Sequence, residues 1–158
     1  LYGGKFCAAL DRQHPRDLFD VAQFFGGDGT VDDVKGGFIA LALGHNRPLH
    51  EILAPNMLDQ SGTFASQFAG MSDRPFTFDE HVATFRRLVA DINTALTRED
   101  RERLVAFPSL EADADVFGIP GLEKLPAIIW KRRNLETLRR KDAGKFTDNA
   151  LALERMLL

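Results

Sequence analysis

The sequence predicts an all-α protein, a helical bundle that forms a single domain over residues 1–158. Apolar residues recur at intervals of three and four in several segments, and no stretch shows the sustained alternation typical of a half-buried strand. A chain of 158 residues is long enough to bury a sizeable core. Its apolar fraction of 44% and charged fraction of 27% are typical of a folded protein and argue against disorder.

The first twenty-five residues are expected to form two helices separated by a break. Apolar residues recur at helical spacing from Leu1 to Leu10, and His14-Pro15 then interrupts the pattern. Pro15 suits the first turn of a second helix because the N–H that proline lacks has no partner there. This second helix should run to about Phe25.

Capping patterns and turn residues predict the middle of the chain. Gly26-Gly27-Asp28-Gly29 is read as a turn, and a short turn of helix over 48–53 and helical pieces within 56–70 are expected. Three Thr-x-x-acid patterns mark helix starts. They are Thr30-Val-Asp-Asp33, for a helix to about Gly44; Thr77-Phe-Asp-Glu80, for the clearest helix, about 78–96; and Thr97-Arg-Glu-Asp100, for a helix to about Phe107.

The last third contains one irregular segment and two helices. In residues 110–121 the acids Glu111, Asp113 and Asp115 alternate with small or apolar residues, which favours a solvated loop over a metal site. Pro126 opens a helix over 127–141. A final helix is expected over 146–158.

Composition and charge limit the classes of function. The net charge of −3 and the pI near 5.8 give no overall electrostatic case for nucleic acid. Cys7 is read as a small buried residue in a reducing compartment, and zinc at His45 and His50 is disfavoured because the spacing of metal-binding histidines is missing. Neither a signal peptide nor an apolar run of membrane-spanning length is visible, so a cytoplasmic location is expected.

The residues best suited to chemistry lie in the first twenty-one positions. If the first two helices pack antiparallel, Lys5 and Asp20 should come together at the ends remote from the turn. The ammonium could then contact phosphate, and the carboxylate could act as a metal ligand or a base. The alternative, which residue types and spacing alone favour, is a hairpin whose Arg–Asp pairs only orient it.

Two separated runs of this sequence resemble one family. The run Lys5-(x)6-Arg12-(x)3-Arg16-Asp17-Leu18-x-Asp20 resembles the third signature motif of the AbiEii-type nucleotidyltransferases, which are toxins of abortive-infection (type IV) toxin-antitoxin systems. The run Gly118-Ile-Pro120-Gly121-Leu-Glu-Lys-Leu125-Pro126-Ala-Ile-Ile-Trp130-Lys131-(x)2-Asn134-Leu135 resembles the C-terminal part of the same family.

The resemblance implies a fold, an activity and roles for named residues. The fold would be a polymerase-beta-like nucleotidyltransferase domain followed by a helical part, of which this chain would be the C-terminal one. The activity would transfer a nucleotide from a nucleoside triphosphate (NTP), with Mg²⁺, to an acceptor that is tRNA in some members. Lys5 would contact the triphosphate, and Asp17 or Asp20 would be the catalytic and metal-binding carboxylate. Arg12 and Arg16 would bind phosphate or hold the aspartates.

The sequence departs from the family pattern in one respect. It contains no Gly-Ser motif followed by an Asp-x-Asp pair, and Asp113-Ala-Asp115 follows neither a strand-like run nor a Gly-Ser turn. The chain also begins at Leu1 without a methionine, as expected of a fragment. An N-terminal nucleotidyltransferase domain is therefore expected to complete the active site, and this chain alone should be inactive because two-metal phosphoryl transfer needs several converging carboxylates.

The helix predicted over 127–141 is rich in cations. They could form a strip for tRNA phosphates, or they could belong to a solvated helix face near a favourable C-terminus. The cations are Lys131, Arg132, Arg133, Arg139, Arg140 and Lys141. A second hypothesis follows, in which the chain is a non-catalytic helical module that binds the cognate antitoxin or RNA.

Overall fold

The structure is a computed structural model that describes residues 1–158, and it contains helices and no strand. The all-α prediction is therefore confirmed. The α-helices are α1 (Tyr2–Arg12), α2 (Pro15–Gly26), α3 (Val31–Leu43), α4 (Leu49–Leu53), α5 (Ser61–Gln67), α6 (Phe78–Ala95), α7 (Arg98–Ala106), α8 (Pro126–Lys141) and α9 (Ala143–Leu157). Two short 3-10 turns, Ala114–Phe117 and Leu122–Lys124, lie in and just after the segment predicted to be irregular.

The chain divides into two compact units. The first unit contains residues 1–38 and 53–95, and the second contains residues 39–52 and 96–158. The expectation of a single domain over residues 1–158 stays a prediction. None of the helices combines the length and the apolar character that a membrane crossing requires.

The core of the first unit forms where α1, α2 and α6 pack together. These helices contribute completely buried apolar side chains, which stabilise the unit by removal of apolar surface from water. Those side chains are Phe6, Leu10, Leu18, Val21 and Leu88. Phe6 also contacts an aromatic group, with its ring centroid 5.5 Å from that of Phe24 and 6.5 Å from that of Phe38.

Helix α3 approaches α1 closely because α1 carries glycine at position 3. A Cβ atom at Gly3 would lie 2.7 Å from the carbonyl carbon of Gly37 and 2.7 Å from the amide nitrogen of Phe38. Cys7 lies on the same contact, with its Sγ atom 3.9 Å from the Phe38 carbonyl oxygen. Burial raises the pKa of the Cys7 thiol to about 12, which supports the reading of this cysteine as a small core residue.

The second unit is built on the hairpin of α8 and α9, with α7 packed against α9. Helix α9 begins at Ala143, three residues before the predicted start, because the Asp142 side chain accepts a hydrogen bond of 2.9 Å from the Lys145 amide and caps the helix. Few residues of the hairpin are buried. They are Ile128 on α8, and Leu153 and Leu157 on α9.

Two local predictions can be compared directly with the structure. The capping box at Thr97 is confirmed, since the Thr97 side chain accepts from the Asp100 amide and the Asp100 side chain accepts from the Thr97 amide. The spacing of Val34, Phe38, Leu41 and Ala42 predicts one apolar stripe on α3, and this prediction is partly wrong because Leu41 is 50% exposed. The buried residues include Ile39 and Leu43, and Leu41 lies on the opposite side of the helix from them.

Replacement of Gly3 by alanine should destabilise the protein by about 1–3 kcal/mol, because the added methyl group would meet backbone atoms of α3 that cannot move aside. The matched control is Gly36→Ala, since a Cβ at Gly36 meets nothing within 4 Å. This control should stabilise the protein by about 0.5–1 kcal/mol, the ordinary effect of alanine within a helix. Urea unfolding followed by circular dichroism measures both values. Equal stability of Gly3→Ala and the wild type would show that the close approach is not required.

Stability should also fall as the pH decreases below about 6.5, the ordinary pKa of histidine. His81 is 4% exposed between the rings of Phe64 and Phe78, and its pKa is lowered by burial and by the charge of His14. The unfolded chain therefore binds a proton at a pH where folded His81 stays neutral, and this difference favours unfolding. The free energy of unfolding in urea should be lower at about pH 5.5 than at about pH 7.5. His81→Leu should reduce that difference, and an unchanged difference would assign it to other groups.

Candidate functional site

The elbow between α1 and α2 positions the residues of the candidate site. Gln13, the residue after α1, has a φ of 52°, in the left-handed region that disfavours most side chains. Gln13 is 2% exposed, and its side chain makes two hydrogen bonds. Its Nε2 atom donates to the Asn56 carbonyl at 2.7 Å, and its Oε1 atom accepts from the Leu58 amide at 2.8 Å. These bonds satisfy a buried amide and hold the unusual backbone conformation in place.

Helix α2 starts directly after this elbow. The His14 Nδ1 atom accepts a hydrogen bond of 3.2 Å from the Arg16 amide, and Pro15 occupies the first helical position. Asp17 lies in the first turn, where the helix dipole favours a negative charge. The start of α2 is therefore set by local residues, and Gln13 holds the turn that joins α2 to α1.

Lys5 and Asp20 form an ion pair across the hairpin. The Lys5 ammonium contacts Asp20 Oδ2, and the two side chains are 31% and 40% exposed. One turn further from the elbow the rings of Tyr2 and Phe24 lie 4.4 Å apart, so aromatic side chains border the pair on that side. The structure thus brings together the cation and the acid that an antiparallel hairpin predicts, at a position that water and solutes can reach.

Arg12 and Asp17 form a second pair closer to the elbow. The Arg12 Nη2 atom lies 3.0 Å from both carboxylate oxygens of Asp17. The Asp17 side chain is only 17% exposed, and its Oδ2 atom is buried without a well-oriented hydrogen bond. Asp17 is therefore more enclosed than Asp20, and Asp20 is the acid that a solute would meet first.

Arg16 has no ionic partner in the structure. Its side chain is exposed, and the pair with Asp20 that their four-residue spacing allows is not formed, since Asp20 contacts Lys5. The guanidinium of Arg16 is consequently available to a ligand. Arg12 is also largely exposed, at 64% of its side chain, although it is engaged with Asp17.

The carboxylates of this chain do not fit a magnesium site by themselves. Mg²⁺ prefers six oxygen ligands, and Asp17 and Asp20 are each engaged by a cation. Elsewhere in residues 1–158 no three His, Cys, Asp or Glu side chains converge as they would around a metal ion. The disfavoured alternatives, zinc at His45 and His50 and a metal in the acidic segment 111–115, therefore gain no support.

The cations of α8 are not equally accessible. The Lys131 ammonium donates hydrogen bonds to the His45 carbonyl at 2.6 Å and the Arg47 carbonyl at 3.0 Å, and burial lowers its pKa. Arg132 forms ion pairs with Asp113 and Glu136. Both side chains therefore have roles within the second unit.

The remaining cations of α8 are exposed. The Arg133 guanidinium lies 5.8 Å from the ring centre of Trp130, and that of Arg139 lies 6.0 Å from the ring centre of Phe146. Arg140 and Lys141 are also exposed. A contact with nucleic acid on this helix would rest on these four residues, and it stays a prediction.

Sequence reasoning missed two features of the molecule. The role of Gln13 depends on contacts with the backbone of residues 56 and 58, more than forty residues away, and only a glutamine directly before a His-Pro turn hinted at it. An apolar groove beside Trp130 was missed as well, because the sequence indicates the apolar residues of α8 but not which of them line a groove with α9 and with residues 43–50.

Comparisons with protein-family models, with curated proteins and with solved structures found no match to this chain. The resemblance described above therefore rests on its two sequence runs alone.

Proposed function

We propose that this chain is the C-terminal helical part of an AbiEii-like nucleotidyltransferase, which transfers a nucleotide from an NTP to an acceptor such as tRNA. The observation that supports this proposal best is the Lys5–Asp20 pair, which holds an ammonium group at a solvent-accessible edge of the α1–α2 hairpin. An ammonium in that position is suited to an incoming phosphate as a compact point charge.

Asp20 has a positioning role in this proposal. Its carboxylate restrains the long Lys5 side chain, which would otherwise sample many rotamers and lose entropy when it contacts a ligand. The pair adds little to stability, because ion pairs with this degree of exposure contribute about 0–1 kcal/mol. The pair can therefore rearrange to bind a ligand without a large loss of protein stability.

The arginines extend the positive edge. Arg16 is exposed and unpaired, and Arg12 is exposed beside the enclosed Asp17. Arginine offers a planar fork of donors that matches phosphate oxygens. Lys5 and Arg16 are therefore assigned to the triphosphate, while Arg12 mainly holds Asp17 in place.

The proposal requires a second set of carboxylates. The two aspartates of this chain do not complete a Mg²⁺ site, so the Gly-Ser and Asp-x-Asp motifs of an N-terminal nucleotidyltransferase domain would supply the main ligands. Asp20, as the more exposed acid, would face that domain. The cognate antitoxin and tRNA are the expected partners, with Arg133, Arg139 and Arg140 available for RNA phosphates.

The test uses the product of the complete reading frame and measures transfer of labelled nucleotide from each of the four NTPs to tRNA. Lys5→Met, which removes the charge and keeps the side-chain length, should lower transfer by about 10²–10³-fold, the usual effect of losing one donor to a reacting phosphate or oxyanion. Asp20→Asn should also lower it, because the ammonium is no longer restrained.

The control is Arg155→Met, since Arg155 is exposed and lies outside both sequence runs that resemble the family. This variant should transfer nucleotide at the wild-type rate. Unfolding in urea must show that Lys5→Met stays within about 1 kcal/mol of wild type. Wild-type rates in both Lys5→Met and Asp20→Asn, or no transfer by the wild type with any NTP, would contradict the proposal.

A further inference from the structure

The second unit contains an apolar groove that no residue of the candidate nucleotide site enters. It lies between α8, α9 and the segment that joins α3 to α4, and its volume is about 560 Å³. That volume is within the range of sites that bind a ligand or anchor side chains of a partner.

One wall of the groove is a complete stripe of α8. Its members recur at intervals of three and four over three turns, the pattern of a helix face that normally packs against a core. They are Ala127, Trp130, Lys131, Asn134, Leu135 and Leu138. All six are at least partly exposed, and Trp130 is 61% exposed. The only buried residue of α8 is Ile128, which lies outside the stripe. Part of this face of α8 is therefore exposed at the groove.

The groove follows α8 for about three helical turns. Ala127 and Leu138 are eleven residues apart, which corresponds to about 17 Å along the helix axis. The facing wall is formed by Phe146, Ala150 and Leu153 of α9. Three turns of an amphipathic helix have this length, and such helices insert side chains at positions i, i+4 and i+7 into grooves of this kind.

The charge around the groove has one sign. No Asp or Glu lines it, whereas Lys131 and Lys145 do. Residues 125–146 contain seven Lys and Arg against two Asp and Glu, in a chain whose net charge is −3. The exposed Arg139 lies beside the groove, with its guanidinium 6.0 Å from the ring centre of Phe146. A partner that is apolar at its centre and acidic at its flanks would be complementary to both properties.

We propose that this groove binds an amphipathic, acidic helical segment of another protein. Apolar side chains of the segment insert between α8 and α9, and its carboxylates face Lys145 and Arg139. An RNA strand fits less well, because its phosphates would find the cations at the rim but would leave the apolar floor uncovered. This proposal does not depend on nucleotide transfer.

Trp130 makes a direct test simple, because it is the only tryptophan of the chain and it lines the groove. The probe is a synthetic helical peptide of about 15 residues, with Leu and Phe at i, i+4 and i+7 and Glu on the flanks. Its binding to the complete 158-residue chain should shift Trp130 emission to shorter wavelength and saturate. A peptide with Lys in place of Glu should bind at least about tenfold more weakly, since its charges oppose those of the rim.

Two matched pairs of variants locate the binding site. Ala150→Phe fills the groove and should abolish the shift, whereas Thr147→Phe, on an exposed position of α9 outside the groove, should leave it unchanged. Lys145→Glu should weaken binding about fivefold, the effect of one exposed ion pair, and Arg155→Glu, also exposed and outside the groove, should have less than about twofold effect. If Ala150→Phe does not fold, the charge-reversal pair and the two peptides still test whether the acidic peptide binds at this groove.

Four results would overturn the proposal. The first is the absence of a Trp130 shift with the acidic peptide. The second is equal binding of the acidic and the basic peptide, and the third is undiminished binding by a folded Ala150→Phe variant. The fourth is the finding that another molecule occupies the groove. Single-stranded RNA would be that occupant if it displaced the peptide and shifted Trp130 emission at a lower concentration. A second copy of the chain would be the occupant if the chain formed a dimer that Ala150→Phe disrupts.

Discussion

The geometry of the candidate site depends on one residue, Gln13, which holds the elbow between α1 and α2. Two hydrogen bonds from a single buried side chain connect this elbow to the backbone of residues 56–58, and they compensate for a backbone conformation that glutamine rarely adopts. With the elbow in place, Lys5 meets Asp20 and Arg12 meets Asp17. The packing of α1 against α2 supports the same arrangement of the two helices.

The two ion pairs of the hairpin have different environments and therefore suit different tasks. Arg12 lies beside an aspartate that is largely enclosed, and this arrangement mainly orients the start of α2. Lys5 and Asp20 are more open, so their interaction is weakened by water and costs little to rearrange when a ligand approaches. One hairpin thus combines the two readings of its charges that the sequence left open, a structural pair near the elbow and an accessible pair further away.

The sequence predicts those parts of the fold that depend on local contacts. The Thr97–Asp100 capping box, Pro15 and Pro126 at helix starts, and the apolar periodicity of α6 all act within one or two turns of helix, and the corresponding elements are present. The meeting of Lys5 and Asp20 was also predictable, because two short helices joined by a two-residue turn pack antiparallel. The burial of Lys131 was not, since its two carbonyl partners lie more than eighty residues away.

The enclosure of Cys7 has a practical consequence. Its thiol is buried against α3 and, with a pKa of about 12, stays protonated at neutral pH, so it lacks the thiolate that reacts with maleimides. The chain contains no other cysteine. A single cysteine introduced on the surface can therefore carry a spin label or a fluorophore while the native cysteine stays in place, and the core that it helps to fill is left intact.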